Sequence, residues 1–87
     1  TEVKIISEKA VEIRDSILKN ADRGVTMLHG EGGYLHGPTE VVLSVVASRE
    51  LHRVLNLAKA IDPDCFMVVT QVTEVWGRGF SSGKKYV

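Results

Sequence analysis

Hydrophobic and polar positions along this chain repeat with two different periods, and the switches between them divide it into elements. Thr1–Ile6 alternates weakly, with Val3 and Ile5 facing one way, and predicts a short first strand. Ser7 suits the N-cap of a helix from Glu8 to about Asn20, where Ala10, Ile13, Ile17 and Ala21 recur at helical spacing beside Val11 and Leu18. Asn20, Asp22 and Gly24 supply stop and turn chemistry. Gly24–His29, carrying Val25, Met27 and Leu28, predicts the second strand, and the glycines and proline of Gly30–Pro38 predict a loop. Thr39–Ala47 is the clearest strand, with Val41, Val42, Leu43, Val45, Val46 and Ala47. Ser48 then caps a second helix whose Leu51, Val54, Leu55, Ala58 and Ile61 keep helical spacing. Asp62-Pro63-Asp64 ends it, because proline cannot continue the ladder. Phe66–Val75 sets Phe66, Val68 and Val72 against Gln71 and Thr73 and predicts the last strand. Gly77, Gly79, Ser81, Ser82 and Gly83 predict a loose tail.

The order is strand, helix, strand, strand, helix, strand. Right-handed crossovers leave a split βαβ sandwich as the best wrapping, an α+β ferredoxin-like βαββαβ fold with a four-stranded antiparallel sheet and both helices on one face. The expected organisation is one domain over residues 1–80 and a flexible tail over 81–87. Helices on one face leave the other open, and an open face ordinarily reads polar. Here the third strand has apolar residues on both sides. Taking Val41, Leu43, Val45 and Ala47 as one side leaves Val42 and Val46 with Glu40 and Ser44 on the other. Val42, Val46, Met67 and Val69 then form an exposed patch larger than a soluble monomer tolerates. The expectation is a homo-oligomer packed sheet to sheet, or docking on another part of a longer protein.

Composition narrows the function classes. The 87 residues are 44% hydrophobic and 25% charged, an ordinary globular balance for one small domain. Lys plus Arg equals Asp plus Glu at 11 each, so no net field favours nucleic acid. The longest apolar run, Cys65–Val69, is far short of the roughly 20 residues that cross a bilayer. One cysteine, Cys65, excludes an intrachain disulfide and suits a reducing compartment.

Several runs carry a family likeness. Arg23-Gly24-Val25-Thr26, Gly30-x-Gly32-Gly33-Tyr34, Ser48-Arg49-Glu50-Leu51, Ile61-Asp62-Pro63-Asp64-x-Phe66 and Glu74-Val75-x-Gly77-x-Gly79-Phe80 resemble the C-terminal cytosolic domain of the YitT family of bacterial membrane proteins. The likeness spans about Val3 to Phe80. Cys65, where the family more often has alanine, and Trp76, at a usually smaller position, are mild departures. The resemblance implies a domain of unknown function that follows a bundle of membrane helices on the cytoplasmic side. It also implies a fold similar to the PII signalling proteins, which bind nucleotides in clefts between subunits near the equivalent glycine loop.

Candidate chemistry is sparse. Gly30, Gly32, Gly33 and Tyr34 offer a loop where backbone N–H groups can approach an anion. The competing reading is a hairpin connection that needs positive φ at several positions. The run lacks the Gly-Lys-Ser/Thr ending of a P-loop and leads into a strand. Arg23 and Arg78 could clamp a phosphate if the second and last strands meet across a subunit boundary; otherwise they are solvated charge, with Arg23 pairing Asp22 or Glu74. Tyr34 and Phe80 could stack on a base, but Phe80 reads first as an apolar plug and Trp76 as an interface anchor. His29, His36 and His52 are badly spaced for a metal, and no Cys/His cluster accompanies them. Cys65 reads as a buried small hydrophobe. Ser81 and Ser82 sit where no nucleophile can be held in register.

The sequence therefore points to a non-enzymatic ligand-sensing or regulatory domain attached to a membrane-helix bundle. Its expected ligand is a small anion, an adenine nucleotide among the candidates, at an intersubunit cleft formed by Arg23, Gly30, Gly32, Gly33, Tyr34 and Arg78. The alternative is a purely structural oligomerisation module, with Val42, Val46, Met67, Val69 and Trp76 at its interface and no small-molecule ligand. Neither reading includes a metal, another cofactor or nucleic acid, since the chain is neutral and the sheet is expected to lack exposed aromatics.

Overall fold

A computed structural model describes residues 1–77. The elements are β1 (Glu2–Ile6), α1 (Ala10–Ser16), β2 (Thr26–Glu31), β3 (Pro38–Val45), α2 (Leu51–Ile61) and β4 (Phe66–Thr70). A π-turn over Ile17–Ala21 prolongs α1, and a 3-10 turn over Ser48–Glu50 leads into α2. The strands form one antiparallel sheet in the order β2-β3-β1-β4, which is the ferredoxin-like arrangement expected from the element order. Both helices lie on one face, where Ala10, Ile13 and Ile17 of the first helical stretch and Val54 and Ala58 of α2 bury against Val3, Ile5, Val42 and Val46. The expected tail over 81–87 lies outside the described residues.

The sheet faces the other way from the sequence expectation. β1 fixes the sides, because Glu2 and Lys4 cannot lie beneath the helices whereas Val3 and Ile5 can. Val3 pairs with Ser44 and Ile5 with Val42, and directly opposed residues share a face. Val42 and Val46 are therefore core residues with no exposed surface, not members of an outer patch. Met67 and Val69, opposite Ile5 and Val3, also point to the helix side. The open face instead carries Val41, Leu43 and Val45 of β3 with Phe66 and Val68 of β4. Both sides of β3 are apolar in sequence, so its own alternation could not say which was inner.

Element ends shift for local reasons. The Ser7 hydroxyl donates to Asp62 Oδ2 at 2.5 Å and accepts from the Lys9 N–H at 2.9 Å, so it ties the chain to the α2–β4 turn while α1 begins at Ala10. Gly30, Glu31 and Pro38 belong to the β2–β3 ladder, which reduces the loop to residues 32–37. β4 stops at Thr70, not Val75, because Thr70 pairs with Glu2 at the start of β1 and no partner strand continues beyond it.

Candidate functional site

Arg23 follows the turn after α1, where Asp22 takes a left-handed φ of 52°. Its guanidinium binds Glu50 bidentately, Nε donating to Oε2 at 2.9 Å and Nη2 to Oε1 at 2.6 Å. The Arg23 hydrogen bond, with the guanidinium charge behind it, holds the Glu50 carboxyl below its ordinary pKa against the opposing effect of burial. Where the sequence offered Asp22 or Glu74 as a partner for Arg23, the fork goes to Glu50, and Glu74 accepts from the Trp76 indole at 2.8 Å. Next to this joint, Arg53 of α2 donates through Nε and Nη2 to the Asn20 carbonyl at 3.0 and 2.6 Å, satisfying the end of the first helical stretch.

The glycine loop lies at the far end of β2. Arg23 precedes Thr26, and the loop follows Glu31, so roughly 17 Å of strand separates them within one chain. Arg78, the second arginine of the expected clamp, lies outside the described residues, as does Phe80. Tyr34 stands at the loop tip, 92% exposed, beside Leu35. Among the described residues of this loop only His36 has positive φ, at 58°, so the glycines are not there to supply left-handed turns. An added Cβ at Gly33 or Gly37 would meet nothing within 4 Å, and at Gly30 or Gly32 only ordinary contacts at 3.8 and 3.7 Å. An anion nest needs alternating right- and left-handed residues, and Gly30–Gly33 does not form one here.

The open face of the sheet is the larger feature. Leu28 pairs with Val41, Val41 with Ile6, and Ile6 with Phe66, giving one apolar row across all four strands. Leu28 is 40%, Ile6 39% and Phe66 63% exposed. The next row runs Thr26, Leu43, Lys4, Val68, and the last sets Val45 beside Glu2 and Thr70. The face thus grades from apolar at the hairpin end to a Glu2–Lys4 pair, 3.4 Å apart, at the other. Phe66 corrects the expectation that no aromatic is exposed on the sheet. Trp76 is 87% exposed but lies beyond the last strand.

Other chemistry is limited. Among the described residues no three His, Cys, Asp or Glu side chains stand so as to hold a metal. Cys65 is a half-buried free thiol, its pKa pushed up by burial and by the Asp62 carboxylate. No described helix is long and apolar enough to cross a membrane.

Fold and surface together define a small α+β domain of ferredoxin-like topology whose sheet face away from the helices is apolar at the hairpin end and covered by no described helix. The chain belongs to the bacterial family described as "Uncharacterized protein conserved in bacteria (DUF2179)", whose pattern matches residues 23–77. It is 44% identical to a crystal structure of a member of that family from Eubacterium ventriosum, with a TM-score of 0.71 over 80% of this chain and 96% of that one. Against an "Uncharacterized protein in cccA 5'region" of Bacillus sp. (strain PS3) the identity is 40% over 76 residues, 87% of this chain and 51% of the relative. Against the "UPF0750 membrane protein YpjC" of Bacillus subtilis it is 39% over 77 residues, 88% of this chain and 27% of the relative. The "UPF0750 membrane protein YitT" of the same organism is 29% identical over 73 residues, 84% of this chain and 26% of that protein. The chain therefore spans about half of the first relative and about a quarter of the two membrane proteins. It is a domain of the YitT family, and these names carry no enzymatic activity.

Proposed function

We propose that this domain is a non-catalytic assembly module of YitT-type membrane proteins, joining a second copy of itself through the open sheet face. The row Leu28–Val41–Ile6–Phe66 carries this reading, because a continuous apolar stripe on a sheet face that no described helix covers is costly to leave in water. The charge pattern supports a second copy as the partner. Glu2 and Lys4 are neighbours on the same face, so a two-fold axis through it can set each Glu2 against a Lys4 of the other copy. The lone free thiol of Cys65 suits the cytoplasmic side of the bacterial membrane, where disulfides are rare. Sedimentation analysis at high micromolar concentration should give a dimer or larger, and Ile6→Glu with Phe66→Glu should give a folded monomer. A wild-type monomer at that concentration rules the module out.

A second reading keeps one supporting observation. Gly30, Gly32, Gly33 and Gly37 are required neither by their dihedral angles nor by close contacts, which leaves room for a small anionic ligand, such as a nucleotide, to approach the backbone between subunits. Arg23 supports it less, since Glu50 already takes both of its fork positions. A nucleotide at 100 times its Kd would stabilise the fold by about 2.7 kcal/mol. The absence of any thermal shift across a millimolar nucleotide panel would discard the ligand and leave the assembly module standing.

A further inference from the structure

Past Ile6 the central strand stops while the β2–β3 hairpin runs on. Val41 is the last β3 residue with a β1 partner, so Pro38–Glu40 pair only with β2, and no described strand covers their other edge. Between this overhang and the turn after α2 lies an open groove of 630 Å³. Ile6 and Phe66 give it apolar walls, and Glu8, Glu40, Asp62 and Asp64 stand around it. No Lys or Arg lines it; Lys9, next to Glu8 in the chain, directs its Nζ to the Ile61 carbonyl at 3.4 Å, and its charge reaches Asp62 from outside the groove. The Ser7 hydrogen bond helps keep Asp62 ionised. An anion is unwelcome here; a basic segment with apolar side chains fits.

The chain contains such a segment. Residues 78–87, outside the described structure, carry Arg78, Lys84 and Lys85 with Phe80, Tyr86 and Val87, and no acidic residue. β4 leads the chain away from the groove, from Phe66 at its wall to Thr70 opposite Glu2 at the other end of the sheet. We propose that the groove is a docking site for residues 78–87 of a neighbouring copy, held by charge complementarity to the four carboxylates and by the free edge of Pro38–Glu40. This rests on the self-association proposed above.

The test uses the full chain with Cys65→Ala. A nitroxide is attached at Ser82→Cys on unlabelled protein, which is mixed with untagged ¹⁵N-labelled protein. The amide signals of Glu40, Asp62 and Asp64 in the labelled copy should be lost, while those of Glu2, Val45 and Thr70 at the other end of the sheet persist. Adding Lys84→Glu and Lys85→Glu to the tagged chain should restore the lost signals, and Lys84→Arg with Lys85→Arg should not. Signal loss only when tag and label share one chain overturns the neighbouring copy as the source, and no loss in either arrangement overturns docking in the groove. Sedimentation of the same samples separates the two proposals: a dimer without signal loss removes the groove inference and leaves the open-face module, whereas a monomer removes both.

Discussion

Arg23 and Glu50 meet as a fork against a carboxylate, two parallel hydrogen bonds of 2.9 and 2.6 Å that join the turn before β2 to the start of α2. Both side chains are largely shielded, at 13% and 22% exposure, so the pair is better insulated than a surface ion pair. Glu50→Gln should cost about 1–2 kcal/mol at neutral pH by urea denaturation, because one charge-assisted fork becomes a weaker amide contact. Equal stability of wild type and variant would remove the structural role of the pair.

The same pair predicts a pH dependence. The Glu50 pKa is depressed by folding, so the unfolded chain binds its proton first and the contribution is fully present above the ordinary value of 4.5. It should fade as pH falls from there through the lowered folded value. Stability curves of wild type and Glu50→Gln should therefore converge on acidification, and parallel curves down to strongly acid pH would contradict the assignment.

Val41 and Val42 are neighbours in sequence with opposite fates. Val42→Asp places a charge in the core beneath the helices and should prevent folding, at a cost above about 4 kcal/mol. Val41→Asp sits on the open face and should leave the circular dichroism spectrum unchanged while weakening self-association. A folded Val42→Asp protein would refute the register itself.

Arg53 ends the first helical stretch by donating twice to the Asn20 carbonyl. Arg53→Met keeps much of the aliphatic stem and removes both donors, and a loss of about 1 kcal/mol is expected. Hydrogen exchange should quicken over Ile17–Ala21 more than in the sheet.

Cys65 should be a sluggish nucleophile. Burial and the nearby Asp62 raise its pKa above 9.0, so alkylation by iodoacetamide should show its midpoint above that of a free thiol. Asp62→Asn, which removes the carboxylate, should move the midpoint down.

The sequence by itself determined the element order, the two helical faces and the α+β topology, because these depend on periods that a single segment displays. Ile13, Ile17, Val54 and Ala58 were legible as core for that reason. The motif runs carried the family likeness from Arg23 to Phe80. What only the tertiary structure decided was which residues meet. A strand apolar on both sides cannot say which side is inner, and the pairing of Ile5 with Val42 settled that question through the polar neighbours of β1. Arg23 found Glu50, and the glycine loop came to lie a strand's length away, because contacts between distant segments follow from register and crossover, to which no local pattern is sensitive.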